Sequence, residues 1–87
     1  MPYPNEHACR VRTPDDFQPE SFRRMKSGKV HIVVGRLKGE DSTTTQAFRY
    51  PTDDWTVAEA RAHCAEQEGA FEPASNAVDS EIRRRAR

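Results

Sequence analysis

The clearest pattern of apolar and polar positions lies in residues 29–37, which have the composition and alternation of a β-strand. An extended backbone there carries Val30, Ile32 and Val34 on one side and His31, Val33 and Leu37 on the other. Because both sides are apolar in the middle, we expect a central strand. Residues 43–50 are rich in β-branched and aromatic side chains, and residues 38–42 have turn composition. The pattern predicts an antiparallel hairpin of 29–37 with 43–50.

Helix signals are strongest after the hairpin. Thr56 and Glu59 have the spacing of a capping box, in which each side chain bonds a backbone N–H at the helix start. The following residues are rich in alanine, and Gly69 stands where a helix commonly stops. We expect the helix Val57–Glu68 to pack on the sheet through small side chains. The predicted fold class is therefore α+β: a small antiparallel sheet, with room for a third strand, and one helix.

The segments before the hairpin carry weaker signals. The first twelve residues have no period and predict an irregular or extended arm, anchored by Cys9 and Val11 as an edge strand. Thr13-Pro14-Asp15-Asp16 has the N-cap, proline and acidic residues of a helix start, cut short by Pro19. It predicts a single helical turn that presents Phe17.

Two further segments complete the expected organisation. Phe22 and Met25 are three residues apart, which suits one face of a second short turn ending at Gly28. We expect residues 1–74 to form one domain. Residues 75–87 are expected to be a linker and basic tail, long enough for a short helix.

Charge is segregated along the chain although the formal net charge is zero. Residues 1–38 hold eight Lys and Arg against four Asp and Glu, whereas residues 39–82 hold two against ten. Residues 83–87 add four arginines. A binder that uses its whole surface for nucleic acid would be basic overall, so this balance argues against one. No apolar run has the length of a signal peptide core or a membrane span, so we expect a soluble, intracellular protein.

The histidines and cysteines are the only candidates for metal or nucleophilic chemistry. His63 and Cys64 are neighbours on the predicted helix, so their side chains diverge by about 100° and are poorly placed to share one zinc ion. Cys9 and His7 supply no spaced ligand pair, and no nucleophile motif is present. We expect no metal, no cofactor and no enzymatic activity. In a reducing compartment both cysteines are expected to be thiols, with Cys64 packed inward near Cys9, but the sequence leaves open whether they are paired, bound to metal or free.

Basic and aromatic residues interleave in the N-terminal half and around the hairpin. Such a pattern forms either a surface for stacking bases and binding phosphates or the charged rim of a small aromatic core. The candidate binding residues are Arg10, Arg12, Arg23, Arg24, Lys26, Arg49, Tyr50 and Trp55. The tail Arg83–Arg87 could engage nucleic acid, an acidic partner or the acidic segment of the same protein.

Five stretches of the chain together resemble a known small domain. They are Asn5–Arg10, Asp16-Phe17 with Ser21–Arg24, Gly35–Gly39, Thr44–Pro51 and Trp55–Cys64. The domain they resemble is found in tailed bacteriophages, alone or attached to prohead-protease and capsid-region proteins, and the resemblance covers about residues 5–74. It implies a phage or prophage origin and a place near head assembly. It brings no catalytic residues, and no protease segment follows here, so we expect no protease activity.

The expected function is a phage-encoded, non-enzymatic protein-interaction or assembly module, associated with prohead or capsid morphogenesis. Its partner would be a phage structural protein or a host protein, in the cytoplasm of the bacterial host or on the virion, and no membrane is involved. Two alternatives stay open. One is a nucleic-acid-binding domain that uses the basic N-terminal half. The other is a small phage inhibitor of a host defence protein.

Overall fold

The structure is a computed structural model, and it describes residues 3–75. In chain order its elements are β1 (Glu6–Arg10), a 3₁₀ turn (Pro14–Asp16), β2 (Arg23–Ser27), β3 (Val30–Arg36), β4 (Thr43–Pro51), α1 (Val57–Glu66) and β5 (Ala70–Glu72). The short helix allowed within the tail lies outside the described residues. Within them, no helix has the length and hydropathy needed to cross a membrane.

The five strands form a single antiparallel sheet in the order β2-β3-β4-β1-β5. This confirms the α+β class and the hairpin, which is made by β3 and β4. Their register shifts after Val33, which faces Ala47, whereas Val34 faces Thr45. The bulge leaves Gln46 without a partner on β3. Its carbonyl instead accepts the backbone N–H groups of residues 11 and 12, at 3.0 and 3.2 Å, and so ties the end of β1 to β4.

Helix α1 begins as the sequence predicts, with both hydrogen bonds of the capping box formed between Thr56 and Glu59. Ala60 and Cys64 are its buried residues, four positions apart and therefore on one face. The helix ends at Glu66, two residues before the expected end. It stops early because Glu68, and not Gly69, takes the left-handed conformation, with φ 56°.

A disulfide joins Cys9 on β1 to Cys64 on α1, across a Cα–Cα distance of 5.5 Å. The sequence left the pairing of these two cysteines open, and the expected proximity of their side chains is confirmed. The bond lies in the core with Tyr50 and Ala60, and all four side chains are buried. Gly69 packs against it so closely that a Cβ there would clash with the sulfur of Cys9. Lack of space, rather than a turn, therefore explains this glycine.

Strand β1 is an inner strand and not the edge strand expected of the N-terminal arm. It lies between β4 and β5, with His7 and Cys9 buried on the helix side and Ala8 buried on the other. Burial on both sides removes the alternation of polar and apolar residues that marks a half-exposed strand. The arm therefore shows no period.

The turn expected around Phe22 and Met25 is also wrong, because Arg23–Ser27 is strand β2. Ser27 pairs with Val30, so Gly28 and Lys29 form a two-residue turn that folds β2 back onto β3. Gly28 has φ 62° while Lys29 has no positive φ, which is the pattern of a type II′ turn.

The segment between β1 and β2 crosses the side of the sheet opposite α1. The helix start at Thr13 is confirmed as a 3₁₀ turn, in which the Thr13 hydroxyl accepts the N–H of Asp15. The turn places Phe17 against Gly35 of β3, where an added Cβ would stand 2.8 Å from the ring. Phe17 is 1% exposed and therefore belongs to the core.

Candidate binding surface

The hairpin of β2 and β3 carries the most exposed strand of the sheet. All five residues of β2 are exposed, and among residues 3–75 β2 has a neighbouring strand on one side only. The side chain of Trp55 anchors the turn of the hairpin, since its indole N–H donates to the carbonyl of Lys29 at 2.9 Å.

Helix α1 packs over β1 and β5, at the other end of the sheet from β2. Met25 faces Ile32 on β3, and Ile32 in turn faces Phe48 on β4, so these side chains lie on the helix side of the sheet. Met25 is 54% exposed, and Val30 and Ile32 are half-buried. We call Met25, Val30 and Ile32 the hairpin patch. It is an apolar strip on the side of the sheet that packs on α1, in which Val30 packs against the core and Met25 is the exposed member.

The surroundings of the hairpin patch are strongly basic. Residues 21–39 contain six Lys and Arg and no Asp or Glu. Arg23 and Lys26 are exposed on β2, and neither side chain makes a hydrogen bond or ion pair with any residue between 3 and 75. Their positive charge is therefore available to a ligand.

A polar cluster lies on the helix-free face, the side of the sheet opposite α1. The guanidinium of Arg24 donates to both carboxylate oxygens of Glu6, at 2.6 and 3.2 Å, and to Nδ1 of His31 at 2.9 Å. The hydrogen bond to Glu6 raises the pKa of Arg24. Nε of Arg49 lies 3.7 Å from Oε1 of Glu6. The guanidinium of Arg49 also donates to the Tyr3 hydroxyl at 3.0 Å and stacks over the Tyr3 ring. One carboxylate thus holds two arginines.

Next to this cluster is a shallow cavity of about 280 Å³. Its lining includes Arg10 and Arg49 but also Glu72, so the two positive charges are partly neutralised. No three histidine, cysteine or acidic side chains of residues 3–75 come together as a metal site. The cavity has the polarity of a wet groove on the sheet rather than of an apolar ligand pocket.

The histidines that the sequence offered for chemistry are engaged in the fold. His7 is buried, and its Nδ1 accepts the backbone N–H of Ala74 at 2.9 Å. Its Nε2 therefore carries the proton and donates to the carbonyl of Trp55 at 3.2 Å. His63 is half-buried, with Nδ1 2.8 Å from the hydroxyl of Tyr50. Both cysteine sulfurs are bonded to each other, so in this structure neither forms a thiol beside a histidine.

The eight candidate binding residues lie in different parts of the fold. Arg10, Arg24, Lys26 and Arg49 lie on the helix-free face, as the register of the strands requires. Arg23 lies on the opposite side of β2, and Arg12 pairs with Asp16 at 3.3 Å in the loop. Trp55 is half-buried against the core. Tyr50 is 0% exposed, so its assignment as a contact residue was wrong.

Sequence reasoning missed Met25, Tyr3, Glu6 and His31 as parts of these surfaces. For Met25 a signal was present in the sequence. Gly28 suits a tight turn, and a tight turn before β3 would make the residues that precede it, including Met25, a paired strand. The other three come together only through the order of the strands, which local spacing does not encode.

The chain matches no family model, no curated protein and no solved structure.

The buried phenol of Tyr50 makes stability depend on pH. Burial raises the pKa of Tyr50 from 10.0 to about 12, because the neutral form is favoured in the folded state. Its contribution to the free energy of unfolding is complete below pH 10 and is lost as the pH rises from 10 to 12. We expect the stability difference between the native protein and Tyr50→Phe to shrink over that range in urea titrations. A constant difference up to pH 12 would contradict this assignment.

Proposed function

We propose that this protein is a non-enzymatic protein-interaction module whose contact surface is the β2–β3 hairpin. The observation that carries the proposal is the hairpin patch, a half-exposed apolar strip beside Arg23 and Lys26, which make no ion pair with residues 3–75. Exposed apolar side chains next to charged ones are typical of protein-binding surfaces. The engagement of both cysteines and of His7 within the fold supports a non-enzymatic role.

The setting we propose is bacteriophage head assembly, in the cytoplasm of the bacterial host. Its support is the resemblance of residues 5–74 to a phage domain associated with prohead-protease and capsid-region proteins. A phage structural protein is the partner class that follows from this setting, and a host protein is the alternative.

A nucleic-acid-binding role is the second candidate. It is favoured by the position of Arg10, Arg24, Lys26 and Arg49 on one face of the sheet, beside the exposed ring of Tyr3. Glu6 and Glu72 lie on the same face and oppose phosphate binding. We therefore prefer a protein partner.

Photo-crosslinking from Met25 tests the proposed function. A variant in which a photoreactive benzoyl side chain replaces Met25, expressed in the cells whose genome encodes the protein, should give one discrete protein adduct. The crosslinked partner, once purified, should bind the native chain, and it should bind a chain with Met25→Asp more weakly. The matched control places the same group at Glu66, which is exposed at the end of α1, and should give no adduct. Adducts with nucleic acid, or equal adducts from both positions, would refute the proposal.

A further inference from the structure

The outer edge of β2 has the geometry to accept another strand. No strand of residues 3–75 pairs with it. The two-residue turn closes on the pair of Ser27 with Val30, and hydrogen-bonded pairs alternate along an antiparallel ladder. Met25 and Arg23 therefore direct their backbone groups towards β3. Arg24 and Lys26 direct theirs outward, where an extended peptide can bind by β-strand addition.

A second copy of the same chain fits this edge poorly. Antiparallel pairing of two β2 strands about Met25 would place Arg24 of each copy opposite Lys26 of the other. Like charges directly opposite one another destabilise a strand pair. Glu6 binds Arg24 and offsets part of that repulsion, but Lys26 has no ion pair with residues 3–75. The edge therefore favours a strand of opposite charge.

We propose that β2 binds an extended acidic segment of a partner protein as a sixth strand of the sheet. The pleat of β2 places Arg24 and Lys26 on the helix-free face and Met25 on the helix side. The matching segment carries acidic residues opposite Arg24 and Lys26 and an apolar residue opposite Met25, in the order acidic–apolar–acidic. The inference rests on the proposed function and names the chemistry of the partner.

Because side chains alternate between the two faces of a strand, this segment would contact both faces of the hairpin. Lys26 makes no ion pair with residues 3–75 and would receive a carboxylate directly. At Arg24 the incoming carboxylate would share a guanidinium already bound to Glu6. The apolar residue would extend the hairpin patch beside Met25 and Ile32. Backbone hydrogen bonds supply the general affinity for an extended chain, and these contacts select the sequence.

A capped heptapeptide of alternating glutamate and valine is the probe, titrated against the full-length isotope-labelled protein in an NMR experiment. We expect it to bind at β2, and the same peptide with lysine for glutamate to show no binding. Methylation of the peptide nitrogens that face β2 should weaken binding at least about fivefold, since hydrogen bonds are lost. Equal binding of the lysine or the methylated peptide would overturn the proposal.

Substitutions at one residue separate the backbone from the charge. Lys26→Ala removes the charge and keeps the outward N–H, whereas Lys26→Pro removes both and spares the hydrogen bonds to β3. We expect Lys26→Pro to bind the acidic peptide at least about fivefold more weakly than Lys26→Ala. Unchanged spectra of β3 and β4 are the folding control. Equal affinities of the two folded variants would overturn strand addition.

The two proposals fail separately. If Met25 crosslinks to a protein but the acidic peptide does not bind at β2, strand addition is wrong and the proposed function stands. If the peptide binds at β2 but Met25 crosslinks to no protein, the proposed function is wrong and strand addition at β2 stands. Tighter binding of oligo-dT than of the acidic peptide at the same residues would overturn both.

Discussion

Replacement of Cys9 and Cys64 by alanine is expected to lower the free energy of unfolding by about 4 kcal/mol. The disulfide closes a loop with a sequence separation of 55, and the loss of chain entropy in the unfolded state grows with the length of such a loop. Small domains have a total stability of roughly 5–15 kcal/mol, so much of it depends on this bond. Urea titrations of the native protein and the double variant provide the measurement.

The control for this result is the native protein in reductant, which should approach the stability of the double variant once the disulfide is broken. Thiol labelling of denatured, non-reduced protein should find no free cysteine. A full count of two thiols, with equal stability of native protein and variant, would contradict the disulfide. The result also bears on localisation, since disulfides persist in oxidising compartments and the expected host cytoplasm is reducing. Both sulfurs are buried, which restricts the access of reductants.

Substitution Phe17→Ala is expected to cost about 3–5 kcal/mol, the usual effect of removing a fully buried phenylalanine ring. The ring is 1% exposed and covers Gly35, on the side of the sheet opposite α1. Its loss would leave that end of β3 open to water. Thermal and urea unfolding of the variant measure the change.

Phe22→Ala is the matched control for Phe17→Ala. The two rings lie 5.4 Å apart between centroids, but Phe22 is 37% exposed. Its removal should therefore cost much less than that of Phe17. Equal losses in the two variants would show that the loop does not hold Phe17 in the core as the structure places it.

The parts of the fold that the sequence predicted are those with local signals. β3 and β4 were found from alternation and composition, and the start of α1 from the capping box of Thr56 and Glu59. β2 was missed because its residues are all exposed, so no burial pattern marks it, and the spacing of Phe22 and Met25 also suits a helix. β1 was placed at an edge because burial on both faces leaves no period.

The candidate surface was predicted in its charge but not in its geometry. Arg24 and Lys26 were named from composition alone. Glu6 holds Arg24 across a sequence separation of 18, and Tyr3 meets Arg49 across 46. The order of the strands places β1 beside β4 and so brings Tyr3 to Arg49, whereas Arg24 reaches Glu6 from β2 across β3 and β4. The same order leaves β2 at the edge, and only the structure shows that its outer backbone is open.

Strand addition requires a free outer edge of β2, and backbone amide hydrogen exchange of the full-length protein tests for that edge directly. The amides of Arg24 and Lys26 should exchange within about tenfold of the rate in an unstructured peptide. Those of Arg23 and Met25, which face β3, should exchange far more slowly. Protection of Arg24 and Lys26 as strong as that of Arg23 and Met25 would show that the edge is already covered, and would rule out strand addition at β2.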